Sequence, residues 1–290
     1  EETEKQHPKP YTLAFPELMQ LPSIGPAMGG DAEMIMTVKP DVIFMAYTTA
    51  GDADALQHKT GIPVLAAACP ELGTHRDTLY ASLRMIGQVL DNPLGADTLI
   101  NGIESIISEL EQLASGIPYE EKPSVYIGGV PYSGSHGIQA TQPYYPPFLF
   151  NRARHVTESL DRNLVSHVKG TFIDKEQLLM WDPDILFVDA SGLELVKEDL
   201  RINSAFQQHL SALRDGNMHI LLPYNNYATN YELVLINACY VGKILYPEAY
   251  RETAIDRRAE EILDLFYGKP HADKLVLPSL ALTKYEILPR

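Results

Sequence analysis

The chain has 290 residues, of which 45% are hydrophobic, and its 38 acidic against 23 basic side chains give a formal net charge of −15. This length accommodates two domains that each have a core. The charge argues against nucleic acid as a partner, because a phosphate backbone attracts clustered Lys and Arg, and no apolar stretch approaches the roughly 18 residues that a membrane helix requires.

The first half of the chain predicts strands that alternate with helices. Val42–Ala46 is a short apolar run without polar alternation, which is typical of a strand buried on both faces in a parallel sheet. A helix is predicted around Ala53–Lys59, and a second buried strand follows Pro63. Further helices are predicted over Arg76–Leu90 and over a longer segment that begins after Pro93.

The second half repeats this alternation. It opens with the strand "KPSVYIGGV", which ends in glycines, and the apolar runs Ile185–Val188 and Met218–Leu222 predict two more strands. Helices are predicted near Phe148–Arg154, over the segment "NYELVLINACYVGKILYP" and over Glu248–Tyr267. Strands that alternate with helices in both halves predict an α/β protein with two parallel-sheet domains.

One phrase occurs twice, as "EMIMTVKPDVIFMA" at residues 33–46 and as "EQLLMWDPDILFVD" at residues 176–189. Each copy predicts a short helix that stops at Pro-Asp, because proline cannot continue a helix, and then a buried central strand. Chance reuse of an α/β unit is the alternative, but the shared spacing and identities favour two related lobes. Aligned without gaps, the identical residues are Glu33 and Glu176, Pro40 and Pro183, Asp41 and Asp184, and Phe44 and Phe187.

The two lobes are unequal in length. We predict a first lobe over residues 1–93, an interlobe helix over residues 94–116 with apolar side chains at helical spacing, and a second lobe over residues 117–290. If the lobes are related, the first lacks a βα unit at its beginning. The opening residues "EETEKQHPKP" resemble the middle of a protein more than a natural start, and we expect the natural N-terminal segment to lie outside this chain.

These segments together resemble the substrate-binding proteins of ABC importers, and among them the group that takes up iron–siderophore complexes, haem and cobalamin. The resemblance keeps the family's order over nearly the whole chain: "KPDVIF" and "KTGIPVL", the long helix "PLGADTLINGIESIISELEQLASG", then "EQLLMWDPDILFVD" and "LPYNNYATNYELVLINACYVGKILYPEAY". It implies two parallel-sheet α/β lobes joined by a single long helix, with the ligand cleft between them.

The resemblance also implies a function. The chain would be a monomeric periplasmic protein or cell-surface lipoprotein that delivers an iron complex to the membrane permease of an ABC importer. The ligand would be a ferric chelate, haem or cobalamin, with no covalent cofactor. In this family each lobe presents a glutamate to a basic pocket of the permease. Glu33 and Glu176 match those positions by their spacing to Pro-Asp, and we expect both to be exposed and far from the cleft. Their alternative role is to stabilise a helix N-terminus through its dipole.

Candidate ligand-binding residues follow from a topological rule, that ligands bind beyond the carboxyl ends of the strands in open α/β sheets. The loops at these ends are rich in Tyr, Ser, Thr and Asn and have little positive charge, which favours a ligand held by aromatic and neutral polar contacts. Tyr and His can also ligate iron. The predicted residues are Tyr47, Thr48 and Thr49 in the first lobe, and Tyr132, Ser133, His136, Asp189, Tyr224, Asn225 and Tyr227 in the second.

Several of these residues also have a plain structural interpretation. His136 could be an ordinary surface histidine, and Tyr224 and Tyr227 could pack on the last helix. Two arginines, Arg152 and Arg154, could meet an anionic ligand, although arginines on a helix surface are commoner. The loops are therefore a firmer prediction than any one side chain.

An enzyme is the rival class. The sequence has no Gly-x-Ser-x-Gly, P-loop or Gly-x-Gly-x-x-Gly motif, and its nine histidines are scattered instead of clustering at metal-ligand spacing. The two-lobed architecture also resembles that of chelatases and other metal or cofactor enzymes, which would need catalytic His/Glu pairs or cluster cysteines. The sequence therefore favours a binding protein over an enzyme.

Overall fold

The computed structural model describes residues 9–26, 29–160, 170–226 and 228–269. The chain divides into two compact units. The first contains the chain up to Glu71 and His75–Asn101, and the second contains Leu72–Thr74 and the chain from Gly102 onward. Each unit holds a parallel sheet of its own, as the sequence predicts.

The first unit is built on a two-stranded parallel sheet, in which β1 (Ile43–Ala46) pairs with β2 (Val64–Ala67). Its helices are α1 (Pro10–Ala14), α2 (Ala32–Val38), α3 (Ala50–Thr60) and α4 (Arg76–Val89). Helix α3, which connects the two strands, begins after the capping residue Thr49 and ends at Gly61, whose φ of 69° is in the left-handed region. These two caps fix where the helix starts and stops.

The longest helix, α5 (Pro93–Ser115), begins with proline, whose missing amide hydrogen costs no hydrogen bond in the first turn. Its buried face repeats at helical spacing and includes Ile100, Ile103, Ile107, Leu110 and Ala114. The division between the two units falls inside this helix, after Asn101. A long helix thus lies where the apolar periodicity predicts one.

The second unit is built on a parallel sheet of four strands. In spatial order these are Arg154–His155, Ser124–Gly128, Ile185–Asp189 and Met218–Leu221, which are β5, β3, β7 and β8 in chain order. Two short antiparallel pairs form separate sheets: β4 (Ala140–Thr141) pairs with β6 (Thr171–Phe172), and β9 (Asn225–Asn226) pairs with β10 (Ala228–Thr229). Strand β7 lies between β3 and β8, and it is buried along its whole length because other elements pack on both of its faces.

Helices cover this second sheet. They are α6 (Pro146–Phe150), α7 (Lys175–Trp181), α8 (Leu193–Ile202), α9 (Ser204–His209), α10 (Ser211–Arg214), α11 (Tyr231–Leu245) and α12 (Ile255–Tyr267). Helix α11 is buried over most of its surface because α6 and α12 pack against it. A hydrophobic core that includes Leu186, Val196 and Phe206 lies between the sheet and helices α8 and α9.

The repeated phrase folds in the same way in both units. Helices α2 and α7 each have seven residues, and the residue after each is in the left-handed region, Lys39 with a φ of 53° and Asp182 with a φ of 40°. The equivalent apolar residues Ile35 and Leu178 are both buried. A Pro-Asp pair then leads into β1 in one unit and β7 in the other. Matching geometry at both helix ends is what related lobes predict.

The two copies differ in the surroundings of their strands. The sequence predicts that Val42–Ala46 is a central strand buried on both faces. Within the described residues, however, β1 pairs with β2 alone, and its side chains are half-buried or exposed. The prediction of a central, fully buried strand is therefore wrong for β1, because burial depends on neighbouring elements that an apolar run does not specify.

Candidate functional site

The loop after β1 carries Tyr47, Thr48 and Thr49 at the carboxyl end of the first sheet. Tyr47 is 51% exposed and has a φ of 53°, a left-handed conformation that is uncommon for an aromatic residue. Thr48 Oγ1 donates to the carbonyl of Thr49 at 3.3 Å. The Thr49 hydroxyl accepts from the amide of Asp52 at 3.2 Å and donates to its carboxylate at 2.7 Å. Thr49 is thus the N-cap of α3, whereas Tyr47 presents its ring to solvent.

An open depression of about 660 Å³ lies beside this loop. Tyr47 and Thr48 line one side of it, and Gly29–Glu33, which lead into α2, also line it. Lys59, at the end of α3, adds one positive charge. Glu33 therefore lies beside the predicted ligand-binding loop of its own unit, because α2 and the β1 loop meet at the same end of that unit. Its expected distance from the ligand cleft stays a prediction.

In the second unit, Tyr132, Ser133 and His136 lie on the loop between β3 and β4. The loop turns tightly, because the amide of Tyr132 donates to the carbonyl of Gly134 at 2.9 Å and both Ser133 and Gly134 have positive φ. Tyr132 is 37% exposed, and Ser133 is also exposed. The loop therefore offers a phenol ring and a hydroxyl at the surface.

The His136 ring is held in one orientation. Its Nε2 lies 2.6 Å from the Tyr132 carbonyl oxygen, and because a carbonyl only accepts, Nε2 carries the proton. In the tautomer that carries its proton on Nε2, the lone pair is on Nδ1. The ring also packs edge-on against Phe172, with 4.8 Å between centroids. His136 can therefore act through Nδ1, either as a hydrogen-bond acceptor or as a metal ligand.

Asp189, at the end of β7, lies in the interior of the second unit and is 2% exposed. Its carboxylate accepts from the Ser191 amide at 2.9 Å, and the Ser191 hydroxyl also donates to it. These bonds cap the short turn that follows the strand. Burial raises the pKa of Asp189 to about 7, and the two bonds from Ser191 oppose that effect. Asp189 thus stabilises the turn after β7 from the interior of the unit.

The buried carboxyl makes stability depend on pH. Asp189 ionises near pH 4 in an unfolded chain, and near pH 7 in the folded unit. Between these values the folded state holds the extra proton, so the stability contributed is complete below pH 4 and is lost as the pH rises through 7. We expect Asp189→Asn, which keeps an acceptor for Ser191, to be on the order of 3 kcal/mol more stable than the wild type at pH 8.

Urea unfolding at several pH values measures this difference. Trp181, the single tryptophan, packs on the core of the second unit, and its fluorescence reports the unfolding of that unit. The stability advantage of Asp189→Asn over the wild type should grow between pH 4 and pH 8, whereas the control Asp215→Asn, which alters an exposed carboxylate, should follow the pH dependence of the wild type. A constant difference between Asp189→Asn and the wild type at all pH values would contradict the assignment.

Tyr224 follows β8 closely, but its side chain is only 2% exposed. Its hydroxyl donates to Gln142 Oε1 at 2.8 Å. Its ring lies against Tyr145, with 5.7 Å between centroids. The structure therefore places Tyr224 inside the second unit, next to two polar residues that the sequence analysis did not single out.

Gln142 and Tyr145 are these additional residues. Both are buried, and the hydroxyl of Tyr145 has no hydrogen-bond partner among the residues described. The only signal for them in the sequence is the tyrosine-rich segment "QPYYPPFLFN". Together with Tyr224 they form a buried polar layer in the second unit.

The hairpin of β9 and β10 carries the last predicted residues. Asn225 is half-buried, and its side-chain oxygen accepts from the hydroxyl of Thr229 at 3.3 Å. The amide of Asn230 donates to the carbonyl of Tyr224 at 2.8 Å and closes the loop before α11. Tyr227 lies outside the described residues. The hairpin is thus held by its own hydrogen bonds.

Glu33 and Glu176 occupy equivalent positions in the two units. Each is the second residue of a seven-residue helix, and each is exposed. An aspartate precedes each helix, and in the first unit the Asp31 carboxylate accepts from the Met34 amide at 2.9 Å. Each unit therefore presents one matched carboxylate to solvent.

Within the described ranges, no group of three or more His, Cys, Asp or Glu side chains is arranged to hold a metal ion. None of the helices in these ranges is long and apolar enough to cross a membrane. The candidate loops offer individual groups, such as His136 Nδ1, that could contact a metal complex.

The structure is that of an α/β protein with two sheet-containing units. The periplasmic binding protein family matches residues 1–223. The chain belongs to this family, which confirms the class that the sequence resemblance indicated.

Solved structures and a curated relative are similar to this chain over most of its length. MolA, a molybdate-binding protein of Haemophilus influenzae, is 20% identical over 283 residues, which cover 91% of this chain and 77% of MolA. The structure of MolA bound to molybdate has a TM-score of 0.68 at 19% identity and covers 91% of this chain and 83% of that one. A periplasmic solute-binding protein of Veillonella parvula has a TM-score of 0.70 at 16% identity, with 96% and 83% covered. RhuT, a periplasmic haem-binding protein of Roseiflexus sp. RS-1, has a TM-score of 0.58 at 18% identity, and the match covers 81% of this chain and 88% of RhuT. These similarities confirm the predicted fold class.

Proposed function

We propose that the chain is the extracytoplasmic substrate-binding protein of an ABC importer, and that it delivers its ligand to a membrane permease without transforming it. The family match over residues 1–223 carries this proposal. The equivalent, exposed Glu33 and Glu176 support a permease as the partner. In this proposal the protein acts as a monomer, either in the periplasm or held at the cell surface as a lipoprotein.

The proposal assigns one lobe to residues 1–93, another to residues 117–290, and the joining helix to residues 94–116. Ligand contacts come from the surface of the carboxyl-end loops, which Tyr47 and Thr48 provide in the first lobe and Tyr132, Ser133 and His136 provide in the second. Thr49, Asp189, Tyr224 and Asn225 support those loops through the hydrogen bonds described above.

We propose a metal chelate as the ligand: a ferric chelate, haem or cobalamin. The supporting observation is that Tyr47 and Tyr132 present aromatic rings on the loops and His136 has a lone pair on Nδ1. Aromatic faces pack on macrocycles and catecholate rings, and Tyr and His are ligands of haem iron. The similarity to the haem-binding RhuT supports this choice.

A small oxyanion is the second candidate. The similarity to MolA, which is a molybdate-binding protein, favours it. A neutral donor such as the Ser133 hydroxyl can bind an oxyanion by a hydrogen bond without a full positive charge. The affinity of a site of this kind would depend little on the area of aromatic contact.

Calorimetric titration of the ligand-free protein separates the two candidates. The titrants are haem, a ferric tris-catecholate complex, cyanocobalamin and sodium molybdate, each at the same pH and salt concentration. We expect one of the three chelates to bind at least 100-fold more tightly than molybdate, which is a difference of about 2.7 kcal/mol. Tight binding of molybdate alone would instead establish the second candidate.

Substitutions at Tyr132 test how the chelate is held. If the ring packs on the ligand, Tyr132→Ala should weaken binding about tenfold, while Tyr132→Phe should have little effect, since stacking contributes on the order of 1 kcal/mol. If the phenolate ligates iron, Tyr132→Phe alone should abolish both the affinity and the charge-transfer absorbance. Tyr119→Ala is the matched control, because Tyr119 is also an exposed tyrosine of the second unit but lies outside these loops. Unchanged affinity in both Tyr132 variants would exclude this loop from the site.

A further inference from the structure

A second cavity, of about 550 Å³, is lined entirely by residues of the second unit. It lies at the amino ends of β3 and β5, where Lys122 and Arg152 each stand two residues before their strand. The candidate ligand-binding loops follow the carboxyl ends of β3 and β7, which are the opposite ends of the strands. The five residues of β3 separate the two ends by roughly 16 Å. The cavity is therefore distinct from the candidate ligand-binding loops.

The ammonium group of Lys122 is buried in the wall of this cavity. The residue is 5% exposed, its Nζ donates to the carbonyl of Arg152 at 2.8 Å, and Nζ lies 5.5 Å from the centroid of the Tyr246 ring. In the part of the chain that the structure describes, no carboxylate forms a salt bridge with it. Buried charges are ordinarily paired, because an unpaired one is costly. Among the described residues, this positive charge is thus without a negative partner.

A second cation lies at the same end of the cavity. Arg152 is exposed, and its guanidinium forms an ion pair of 3.6 Å with Glu111 Oε2, which is longer than an ordinary hydrogen bond. Its backbone φ of 45° is in the left-handed region, which costs energy for a non-glycine residue. Arg152 thus has a strained backbone conformation, and its residue lines the cavity.

The rest of the lining is mostly uncharged. Phe148 and Leu149 supply apolar surface, and burial lowers the pKa of His155 to about 3, which keeps that ring neutral at pH 7. Glu158 is the one carboxylate among the lining residues, and it accepts a hydrogen bond from the Tyr119 hydroxyl at 2.6 Å. The cavity thus combines two positive groups with an aromatic and aliphatic wall.

We propose that this cavity is a second ligand site, which binds an aromatic carboxylate through Lys122 and Arg152 and packs the ring of that ligand against Phe148 and Leu149. Ammonium and guanidinium groups both form short, charge-assisted hydrogen bonds with carboxylates. The volume is within the range of roughly 300–1,000 Å³ that is usual for small-molecule sites. An aromatic carboxylate satisfies both features of the cavity, the unpaired positive charge and the apolar wall.

Calorimetric titration with 2-naphthoate tests the proposal. We expect 2-naphthoate to bind at one site, and both the uncharged 2-naphthalenemethanol and inorganic phosphate to bind at least tenfold more weakly. Equal binding of the alcohol would show that the positive charges play no part, and tighter binding of phosphate would show that the apolar wall plays none. Either result, or a failure of 2-naphthoate to bind, would overturn the proposal.

Four variants locate the binding. Arg152→Gly should weaken 2-naphthoate binding at least fivefold without loss of folding, because glycine adopts a φ of 45° readily. Glu158→Gln, which removes a nearby negative charge, should strengthen binding about twofold or more. The matched control Arg251→Gly alters an arginine whose side chain is 73% exposed and lies outside the cavity, and it should bind as the wild type does. Unchanged affinity in Arg152→Gly, or loss of binding in Tyr132→Ala, would place the ligand elsewhere and refute the assignment.

Discussion

The variant Asn151→Ala is expected to destabilise the second unit by about 4 kcal/mol. Asn151 is completely buried, and its Nδ2 donates to the carbonyls of Pro147 and Ala238, both at 2.8 Å. Its Oδ1 accepts from the hydroxyl of Tyr250 at 2.8 Å. The side chain therefore joins the end of α6 to the middle of α11 and to the turn after it.

The cost follows from what the substitution leaves behind. Alanine removes three hydrogen bonds and leaves the buried Tyr250 hydroxyl without its acceptor, and an unsatisfied buried group costs about 1–3 kcal/mol. The truncated side chain also leaves a cavity, which the close packing here cannot fill. Gly242 shows how close that packing is, since a Cβ at this position would lie 2.4 Å from Asn151 Oδ1.

Urea unfolding followed by Trp181 fluorescence measures the loss, because Trp181 packs on the core of the same unit. The control is Asn101→Ala, which truncates an exposed asparagine in α5 and should change the free energy of unfolding by no more than about 0.5 kcal/mol. Tyr250→Phe removes only one of the three bonds and should fall between the two. A loss below about 1 kcal/mol in Asn151→Ala would mean that the helices do not depend on this link.

The double charge reversal Glu33→Lys and Glu176→Lys is expected to reduce ligand uptake through the permease at least tenfold while ligand affinity changes less than twofold. Breaking a close charge pair at an interface costs about 2–5 kcal/mol, much of it from the partner charge that is left unpaired. A lysine also opposes the dipole at each helix N-terminus, which costs about 0.3–1 kcal/mol per site. The protein should therefore stay folded.

The measurement compares uptake into proteoliposomes that contain the permease with calorimetric affinity for the same ligand. The matched control is Glu17→Lys with Glu260→Lys, which makes the same change in net charge at two other exposed glutamates, one in each unit. It should leave uptake unchanged. Because Glu33 lines the depression beside Tyr47, the affinity measurement is decisive: if affinity falls with uptake, Glu33 binds ligand and the docking proposal fails.

Much of the secondary structure could be predicted from local pattern. The helix over Ala53–Lys59 is observed as Ala50–Thr60, and the strand over Met218–Leu222 is observed as Met218–Leu221. The prediction near Phe148–Arg154 was less accurate, since the helix spans Pro146–Phe150 and the next residues lead into β5. Prolines at a first helical turn are tolerated, so the helix begins earlier than its apolar residues suggest.

The candidate site was predictable only in part. The rule of carboxyl-end loops selected Tyr47 and Tyr132, which are exposed, but it also selected Asp189 and Tyr224, which are buried. A residue after a strand can point outward to a ligand or inward to a neighbouring helix. The sequence contains no local signal for that choice, because it depends on the packing of distant segments.

The sequence by itself determined the α/β class, the duplicated helix–turn–strand phrase and the family, because these depend on local propensity, spacing and order along the chain. Tertiary structure alone decided three other features. It left β1 half-buried while its repeat β7 is central, it placed Glu33 beside the loop of Tyr47, and it brought Lys122 to Arg152 across the amino ends of two strands. Each of these depends on how separate elements pack together, and that packing is not specified by the residues of any one element.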